Sequence, residues 1–184
     1  MNAALGADWR LRCGEHGQAL ERVLAEIERL DEVAWLRKPA PDKWCPGQVA
    51  EHLVLSYDAL LRELAGEAGM RVRPSWWKRR LLRLRFLPML LEEGRLPSGA
   101  PAVRELRPAE QPRPRQALLE TLRERARRFE LELTRAFEAG AGQLTHPYFG
   151  PLPAPHALKF VAVHLEHHRK QIAAEEARKR EAAH

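Results

Sequence analysis

The chain has 184 residues, of which 45% are hydrophobic and 30% charged, with a formal net charge of +6 and a pI of about 9.8. This balance excludes a disordered chain and predicts a single domain over residues 1–184. No apolar run is long enough to cross a membrane, and no apolar segment near the start is typical of a secretion signal. Cys13 and Cys45 form no CxxC pair. This argues against a disulfide framework or a zinc knuckle, and we expect a cytoplasmic protein.

Two amphipathic helices are predicted in the first third of the chain. Residues 16–37 carry apolar side chains three and four positions apart, which is typical of one buried helix face: Leu20, Val23, Leu24, Ile27 and Leu30. After the KPAPDKW segment, Pro46 stands where a first helical turn begins, and Gly66 marks the end of the second helix. The apolar stripe of this second helix consists of Val49, Leu53, Leu60 and Leu64.

Residues 67–114 form a proline-rich insertion between the second and third helices. Its segment 71–85 contains seven basic residues and no acidic one, which exceeds the net charge of the whole chain. Long insertions of this kind are usually functional or mobile.

Three uses of this basic segment are open. It can be a lid over the bundle, a surface that meets nucleic acid or anionic lipid, or a patch that steers an acidic thiol. The lid is favoured because the tryptophans need burial. The apolar side chains of the lid would be Trp76, Trp77, Leu81, Leu84 and Leu87.

Two further helices complete the predicted fold. Residues 115–139 place apolar side chains in helical register: Leu118, Leu122, Phe129, Leu133 and Phe137. A turn-rich loop, GAGQLTHPYFGPLP, follows, and Pro155 opens a fourth helix that frays in EEARKREAAH. No segment alternates as a strand does, so we predict an all-α four-helix bundle with one long crossover and a core over about 16–175.

The fourth helix concentrates histidines in the run HLEHHRKQI. Its apolar face is defined by Leu158, Val161, Leu165 and Ile172. At about 100° per residue, His168 lies near the centre of that face, His164 at its edge and His167 on the solvent side. His52 lies at the inward edge of the second helix. One histidine opposite an HxxxH pair is the geometry of a bundle-core metal site, although hydrogen-bonded core histidines remain the alternative.

Three stretches resemble the DinB-like superfamily, and specifically its DinB_2 branch. KWCPGQVAEHL resembles the W-S-P-x-Q-x-x-x-H-L opening of that family's second helix. HPYFGPL followed by HLEHHRKQI resembles the family's end, and the WW-basic insertion followed by GRLPSGAPAVRELRP also resembles this branch. The resemblance runs from about residue 16 to residue 175.

The resemblance implies a four-helix bundle in up-down-down-up order. It implies a divalent metal, zinc or nickel, held by His52, His164 and His168. Relatives include thiol S-transferases that use bacillithiol or mycothiol, and a thiol-dependent isomerase. A low-molecular-weight thiol, a small-molecule substrate and a homodimer are therefore possible for this chain, whereas nucleic acid is not expected.

Other polar residues have two interpretations each. Cys45 replaces the family's serine or threonine cap and is either a lowered-pKa thiol or a neutral substitution, the latter favoured. Gln171 either orients a ligand imidazole or closes the bundle. His146 either contacts the mouth of the site or hydrogen-bonds backbone, with Tyr148 and Phe149 closing the bundle end.

Four more candidates receive no catalytic role. Glu51 and Asp58 project away from the apolar stripe, so neither is assigned as a general base. His16 and His156 are expected to be solvated.

Two functions remain open. The first is a metal-dependent thiol S-transferase or hydrolase of a small molecule. The second is a non-catalytic helical binding module that contacts anionic partners through residues 71–85.

Overall fold

The structure, a computed structural model, describes residues 3–71, 74–96 and 102–182, with side chains from residue 6 to residue 175. Residues 72 and 73 of the basic segment, and 97–101 of the insertion, lie outside the described residues. The elements in chain order are α1 (Ala3–Arg29), α2 (Glu32–Leu36), α3 (Pro46–Leu64), α4 (Trp76–Glu92), a 3-10 turn (Arg104–Leu106), α5 (Arg115–Glu138), β1 (Gln143–His146), β2 (Gly150–Pro153) and α6 (Ala154–Ala182).

The first predicted helix is two helices in the structure. α1 already begins at Ala3 and ends at Arg29, and α2 follows as a separate short helix. The break occurs because Asp31 caps α2: its carboxylate accepts a hydrogen bond from the backbone N–H of Ala34 at 2.8 Å. The prediction of one helix over 16–37 was wrong at this point, because the apolar spacing continues across the break.

Ion pairs between the helices give the direction of each long helix. Pairs between α1 and α6 advance together along both helices, so these two helices are parallel: Glu15–Lys159, Arg22–Glu166 and Glu26–Arg169. Pairs between α3 and α5 also advance together: Glu51–Arg113, just before α5, and Asp58–Arg125. Contacts between α1 and α5 run in opposite senses: the hydrogen bond between His16 and Glu130 and the ion pair between Glu28 and Arg123. The four long helices α1, α3, α5 and α6 therefore form an all-α bundle in up-down-down-up order, which confirms the prediction.

The core lies where the predicted apolar faces meet. The stripe of the first helix is buried from Leu20 to Leu30, and those of α5 and α6 from Leu118 to Leu133 and from Leu158 to Ile172. Only the last members of two stripes, Leu64 and Phe137, are partly buried. Burial of one face per helix is the main stabilising contribution to such a bundle.

The insertion contains a helix, α4, that packs on the bundle with a different face from the one predicted. Leu82, Phe86 and Leu87 are partly buried against the core and Leu90 is fully buried. The predicted lid residues other than Leu87 are exposed: Trp76, Trp77, Leu81 and Leu84. The lid exists, but the expected burial of its tryptophans was wrong, because Leu82, Phe86 and Leu90 provide a separate apolar stripe at i, i+4 and i+8.

A short antiparallel hairpin connects α5 to α6, where only a loop was predicted. Leu144 pairs with Leu152 and both side chains are buried. Gly150 has a φ of +72°, a conformation that favours glycine, and it begins the return strand. The prediction of no strand was wrong here, because strands of four residues with prolines give almost no alternation to detect. None of the described helices combines enough length with enough hydropathy to cross a membrane.

Candidate metal centre

A cavity of about 660 Å³ lies between α3, α4, α6 and the hairpin. Most of its wall is apolar or aromatic, with contributions from Leu53, Leu82, Phe86, Phe149 and Phe160. His52, His164 and His168 also line it and form a polar patch in this largely apolar wall.

The three histidines come from facing helices and meet at this wall. His52 projects from α3, and His164 and His168 lie one turn apart on α6. One ligand nitrogen from each of the three lies within 4.8 Å of the others. His52 and His168 are buried and His164 is half-buried, as the helical projection predicted for the centre and the edge of the α6 face.

Two of the three imidazoles are held by hydrogen bonds through Nδ1. Nδ1 of His52 lies 2.7 Å from the backbone carbonyl of Leu106, and because a carbonyl can only accept, this nitrogen donates. Nδ1 of His168 lies 2.9 Å from Oε1 of Gln171 and donates in the same way. The proton of each neutral ring is therefore on Nδ1, which leaves Nε2 with a free lone pair.

These Nε2 atoms converge on the Nε2 atom of His164. The distances are 3.3 Å from His52 and 3.0 Å from His168. Lone pairs at such separations repel unless a proton or a cation lies between them. Buried imidazoles that converge through oriented Nε2 atoms are the donor set of a three-histidine metal site, so the residues present fit a divalent ion.

Burial keeps these imidazoles neutral. Desolvation lowers the pKa of His52, and desolvation together with the other histidines holds the pKa of His164 well below its usual value. The pKa of His168 is also well below the usual value, chiefly through desolvation. Neutral imidazole is the form that binds a metal ion.

A sequence model described as the DinB superfamily (DinB_2) matches residues 15–172. The chain belongs to the DinB superfamily. No curated protein and no solved structure gives a significant match to the sequence. The predicted membership is confirmed, and His52, His164 and His168 all lie within the matched residues.

Gln171 connects two histidines of this DinB superfamily protein. Its Oε1 accepts from His168, and its Nε2 lies 3.1 Å from Nε2 of His167. The contact with His168 is the one that the orienting interpretation of Gln171 requires. The prediction that His167 lies on the solvent side was wrong, because this residue is half-buried and lines the cavity outside the cluster of three.

His146 satisfies both interpretations drawn from the sequence. Its Nδ1 accepts hydrogen bonds from the backbone N–H groups of Tyr148 (3.2 Å) and Phe149 (3.1 Å). Its ring stacks on Phe149 at 4.4 Å and lies edge-on to Phe160, which in turn stacks on His164. Desolvation lowers the pKa of His146 to about 3. The ring is thus a neutral part of the cavity wall with its proton on Nε2.

The prediction that His16 is solvated was wrong, whereas His156 is exposed as expected. His16 is 1% exposed. Its Nδ1 lies 2.7 Å from Oε2 of Glu130, and its Nε2 lies 2.8 Å from the hydroxyl of Tyr57. The error arose because α1 extends far upstream of residue 16, which places this histidine inside the bundle.

The remaining candidate residues make contacts that support the fold. Cys45 is buried at the start of α3, so its sulfur is not within reach of a dissolved substrate, in line with the favoured interpretation. Glu51 pairs with Arg113 at 3.1 Å and Asp58 with Arg125 at 2.7 Å. Each carboxylate forms an ion pair between chain segments, although Oε2 of Glu51 is buried without a hydrogen-bond partner, and neither residue lines the cavity.

Sequence reasoning missed the residues that hold the far end of the insertion against α3. Gln48 is buried, accepts from the N–H of Cys45 through Oε1, and donates through Nε2 to the carbonyls of Ala109 and Glu110. This attachment lies a few residues beyond the Leu106 carbonyl that orients His52. The glutamine of the quoted motif was a signal for it, but a backbone carbonyl leaves no signal in a sequence.

Proposed function

We propose that this chain is a divalent-metal-dependent enzyme of the DinB superfamily that acts on an apolar small molecule by thiol S-transfer or hydrolysis. Its metal ligands are His52, His164 and His168. The observation that carries the proposal is the convergence of three Nε2 atoms at the wall of a cavity. Three neutral imidazoles suit zinc or nickel and leave a coordination position for a further ligand.

The protein holds the ligand imidazoles in a fixed orientation and keeps them neutral. Leu106 and Gln171 fix the rings of His52 and His168, so little conformational entropy is lost when the ion binds. When bound, a divalent ion lowers the pKa of a water or thiol in its open position.

The cavity supports an apolar substrate. A volume of about 660 Å³ accommodates a molecule of drug-like size, and its walls are mainly aliphatic and aromatic. His146 offers one hydrogen bond through its Nε2–H, which can hold a polar atom of an otherwise apolar substrate.

The cavity wall contains no carboxylate among the described residues. A dedicated Asp or Glu general base is therefore missing from this part of the protein. The arrangement favours a nucleophile whose pKa is lowered at the three-histidine centre, and a small thiol meets this need with a smaller change in pKa than water does.

Metal content tests the proposal. We expect tag-free protein to contain about one zinc or nickel ion per chain by plasma mass spectrometry, and the His52→Ala/His168→Ala variant to contain almost none. His156→Ala is the matched control, because this histidine is exposed and outside the cluster. Wild-type protein that stays metal-free after incubation with zinc and nickel would remove the proposed function.

Product analysis separates the two reactions. Metal-loaded protein is incubated with an apolar electrophile, with and without small thiols, and the products are identified by mass spectrometry. Thiol adducts that require both the metal and the thiol indicate S-transfer, whereas turnover without thiol indicates hydrolysis.

A further inference from the structure

Helix α4 carries a second apolar stripe on the side opposite to the one that packs on the bundle. Leu82, Phe86 and Leu90 define the inner stripe, and Trp77 and Leu81 belong to the outer one. At about 100° per residue the two stripes lie roughly 180° apart. Trp77 (53%), Leu81 (62%) and Leu84 (70%) on the outer side are well exposed, and so is Trp76 (70%), which lies beside this stripe at the first residue of the helix. These four are half of the large hydrophobic side chains exposed in the described part of the chain.

Cations border this outer stripe on both sides. Arg80 lies on one edge and Lys78 and Arg85 on the other, and all three are exposed. Arg79 and Arg83 instead turn toward the hairpin, where Arg83 donates to the carbonyls of Phe149 and Pro151 at 2.9 and 2.8 Å. Arg83 thus anchors α4, whereas Lys78, Arg80 and Arg85 form no ion pair in the described part of the chain, although Lys78 and Arg85 lie over the rings of Trp77 and Phe86. From Trp76 to Leu91 the helix contains no acidic residue.

We propose that the outer face of α4 docks the protein on an anionic lipid bilayer. The helix lies in the interface plane with Trp77, Leu81 and Leu84 inserted among the acyl chains, Trp76 beside them at the start of the helix, and the cations at the headgroups. Tryptophan is the residue most suited to this depth, because its ring is apolar and its N–H is polar. The proposal goes beyond the proposed function and does not depend on it.

The distribution of charge favours lipid over other occupants. If a second copy paired through the same stripe, Lys78, Arg80 and Arg85 of both chains would approach one another, with no acidic residue between Trp76 and Leu91 of either helix to offset them. A nucleic-acid backbone would meet leucine at the centre of the face, where a phosphate needs a donor. An anionic bilayer suits both parts of this face, because its acyl chains accommodate the apolar centre and its headgroups pair with the cations at the edges.

The same helix forms part of the cavity wall through Leu82 and Phe86. Docking therefore places the cavity one helix away from the bilayer. This is a suitable position for taking up an apolar compound dissolved in lipid.

Vesicle binding tests the docking. Full-length protein is sedimented with vesicles of phosphatidylcholine and phosphatidylglycerol, and separately with vesicles of phosphatidylcholine alone. We expect binding to the anionic vesicles only, weaker at high salt, with a blue shift of tryptophan emission that is lost in Trp76→Phe/Trp77→Phe. The Lys78→Gln/Arg80→Gln/Arg85→Gln variant should lower the partition coefficient roughly 100-fold, and Leu81→Ser/Leu84→Ser should also lower it.

A charge-matched control isolates the surface. Arg10→Gln/Arg62→Gln/Arg128→Gln removes the same charge from exposed residues of α1, α3 and α5 that form no ion pair in the described part of the chain. We expect this variant to bind vesicles nearly as wild type does. All substitutions are at exposed positions, and circular dichroism checks that each variant folds.

Four results would overturn the docking. They are no preference of the wild type for anionic vesicles, an equal loss in the charge-matched control, binding of duplex DNA with the same α4 dependence but no vesicle binding, or self-association that Leu81→Ser/Leu84→Ser abolishes while vesicles are ignored. Because none of these measurements involves the metal, failure here leaves the proposed function untouched.

Discussion

His146 shows how one side chain is fixed in a single protonation state. Both of its Nδ1 contacts are backbone N–H donors, so protonation of that nitrogen would place three donors together. Aromatic rings cover the rest of the imidazole and lower its pKa to about 3. The folded protein therefore resists a proton that the unfolded chain accepts near pH 6.5.

This difference predicts that part of the stability is lost in acid. The folded pKa lies below the unfolded one, so the stabilising contribution is complete above about pH 6.5 and falls as the pH decreases toward 3. For metal-free protein, the unfolding free energy at pH 5 should be lower than at pH 7.5 by about 2 kcal/mol from this residue.

The His146→Asn variant isolates that contribution. Asparagine can accept the same two N–H bonds through Oδ1 but does not titrate. Urea unfolding of both proteins between pH 4.5 and 7.5 should show a shallower pH dependence in the variant, although His52, His164 and His168 still titrate in both. Equal slopes for the two proteins would show that the folded imidazole accepts the proton after all.

At the scale of elements, the position of α4 depends on Arg83. Its guanidinium joins α4 to two carbonyls of the hairpin, across 66 and 68 residues of chain. Hydrogen bonds from a charged donor are among the stronger ones in proteins. The remaining attachment of α4 is the inner stripe around Leu90.

Replacement of this arginine should loosen α4 while leaving the bundle intact. In Arg83→Gln we expect amide hydrogen exchange across residues 76–92 to accelerate roughly tenfold, with no change in α1 or α5. Arg80→Gln is the control, because that side chain is exposed and lies on the outer edge of the same helix. Unchanged exchange in Arg83→Gln, measured by mass spectrometry, would mean that the apolar stripe alone holds the helix.

The four long helices could be predicted from the sequence because each has one apolar stripe. The stripes from Leu20 to Leu30 and from Leu158 to Ile172 are buried as expected. α4 escaped prediction as a helix because it has apolar residues on two opposite sides, which hides a single periodicity. The hairpin escaped because two strands of four residues are too short to give a pattern.

At the scale of the whole molecule, the candidate centre joins helices that are far apart in the chain. His52 and His164 are separated by 112 residues, and one bound ion would cross-link α3 to α6. An ion that binds only the folded state stabilises it by mass action.

We therefore expect zinc or nickel at 100 times its dissociation constant to add about 2.7 kcal/mol to the unfolding free energy. For a chain of this size that corresponds to a rise in Tm of several degrees, at about 2–4 °C per kcal/mol. Scanning calorimetry with metal and then with a chelator measures the shift and its reversal.

Variants assign this stabilisation to the three histidines. The shift should vanish in His52→Ala/His168→Ala and persist in His156→Ala. A shift of the same size in the double variant would locate metal binding elsewhere on the protein.

The candidate histidine cluster could be predicted from the sequence, because the spacing of these histidines places them on the apolar faces of two helices. The groups that orient these histidines could be predicted only in part. Gln171 follows His168 by three residues and could be inferred, whereas the partner of His52 is a main-chain oxygen 54 residues away. Which carbonyl reaches an imidazole depends on the path of the crossover, and that path follows from packing rather than from local pattern.

The use of the Leu106 carbonyl has an evolutionary consequence. A point substitution at position 106 changes the side chain but keeps the main-chain oxygen, so the orientation of His52 is retained. A one-residue insertion or deletion between position 106 and the carbonyls gripped by Gln48 would move that oxygen away. We therefore expect the stretch from residue 106 to residue 110 to keep its length in related chains.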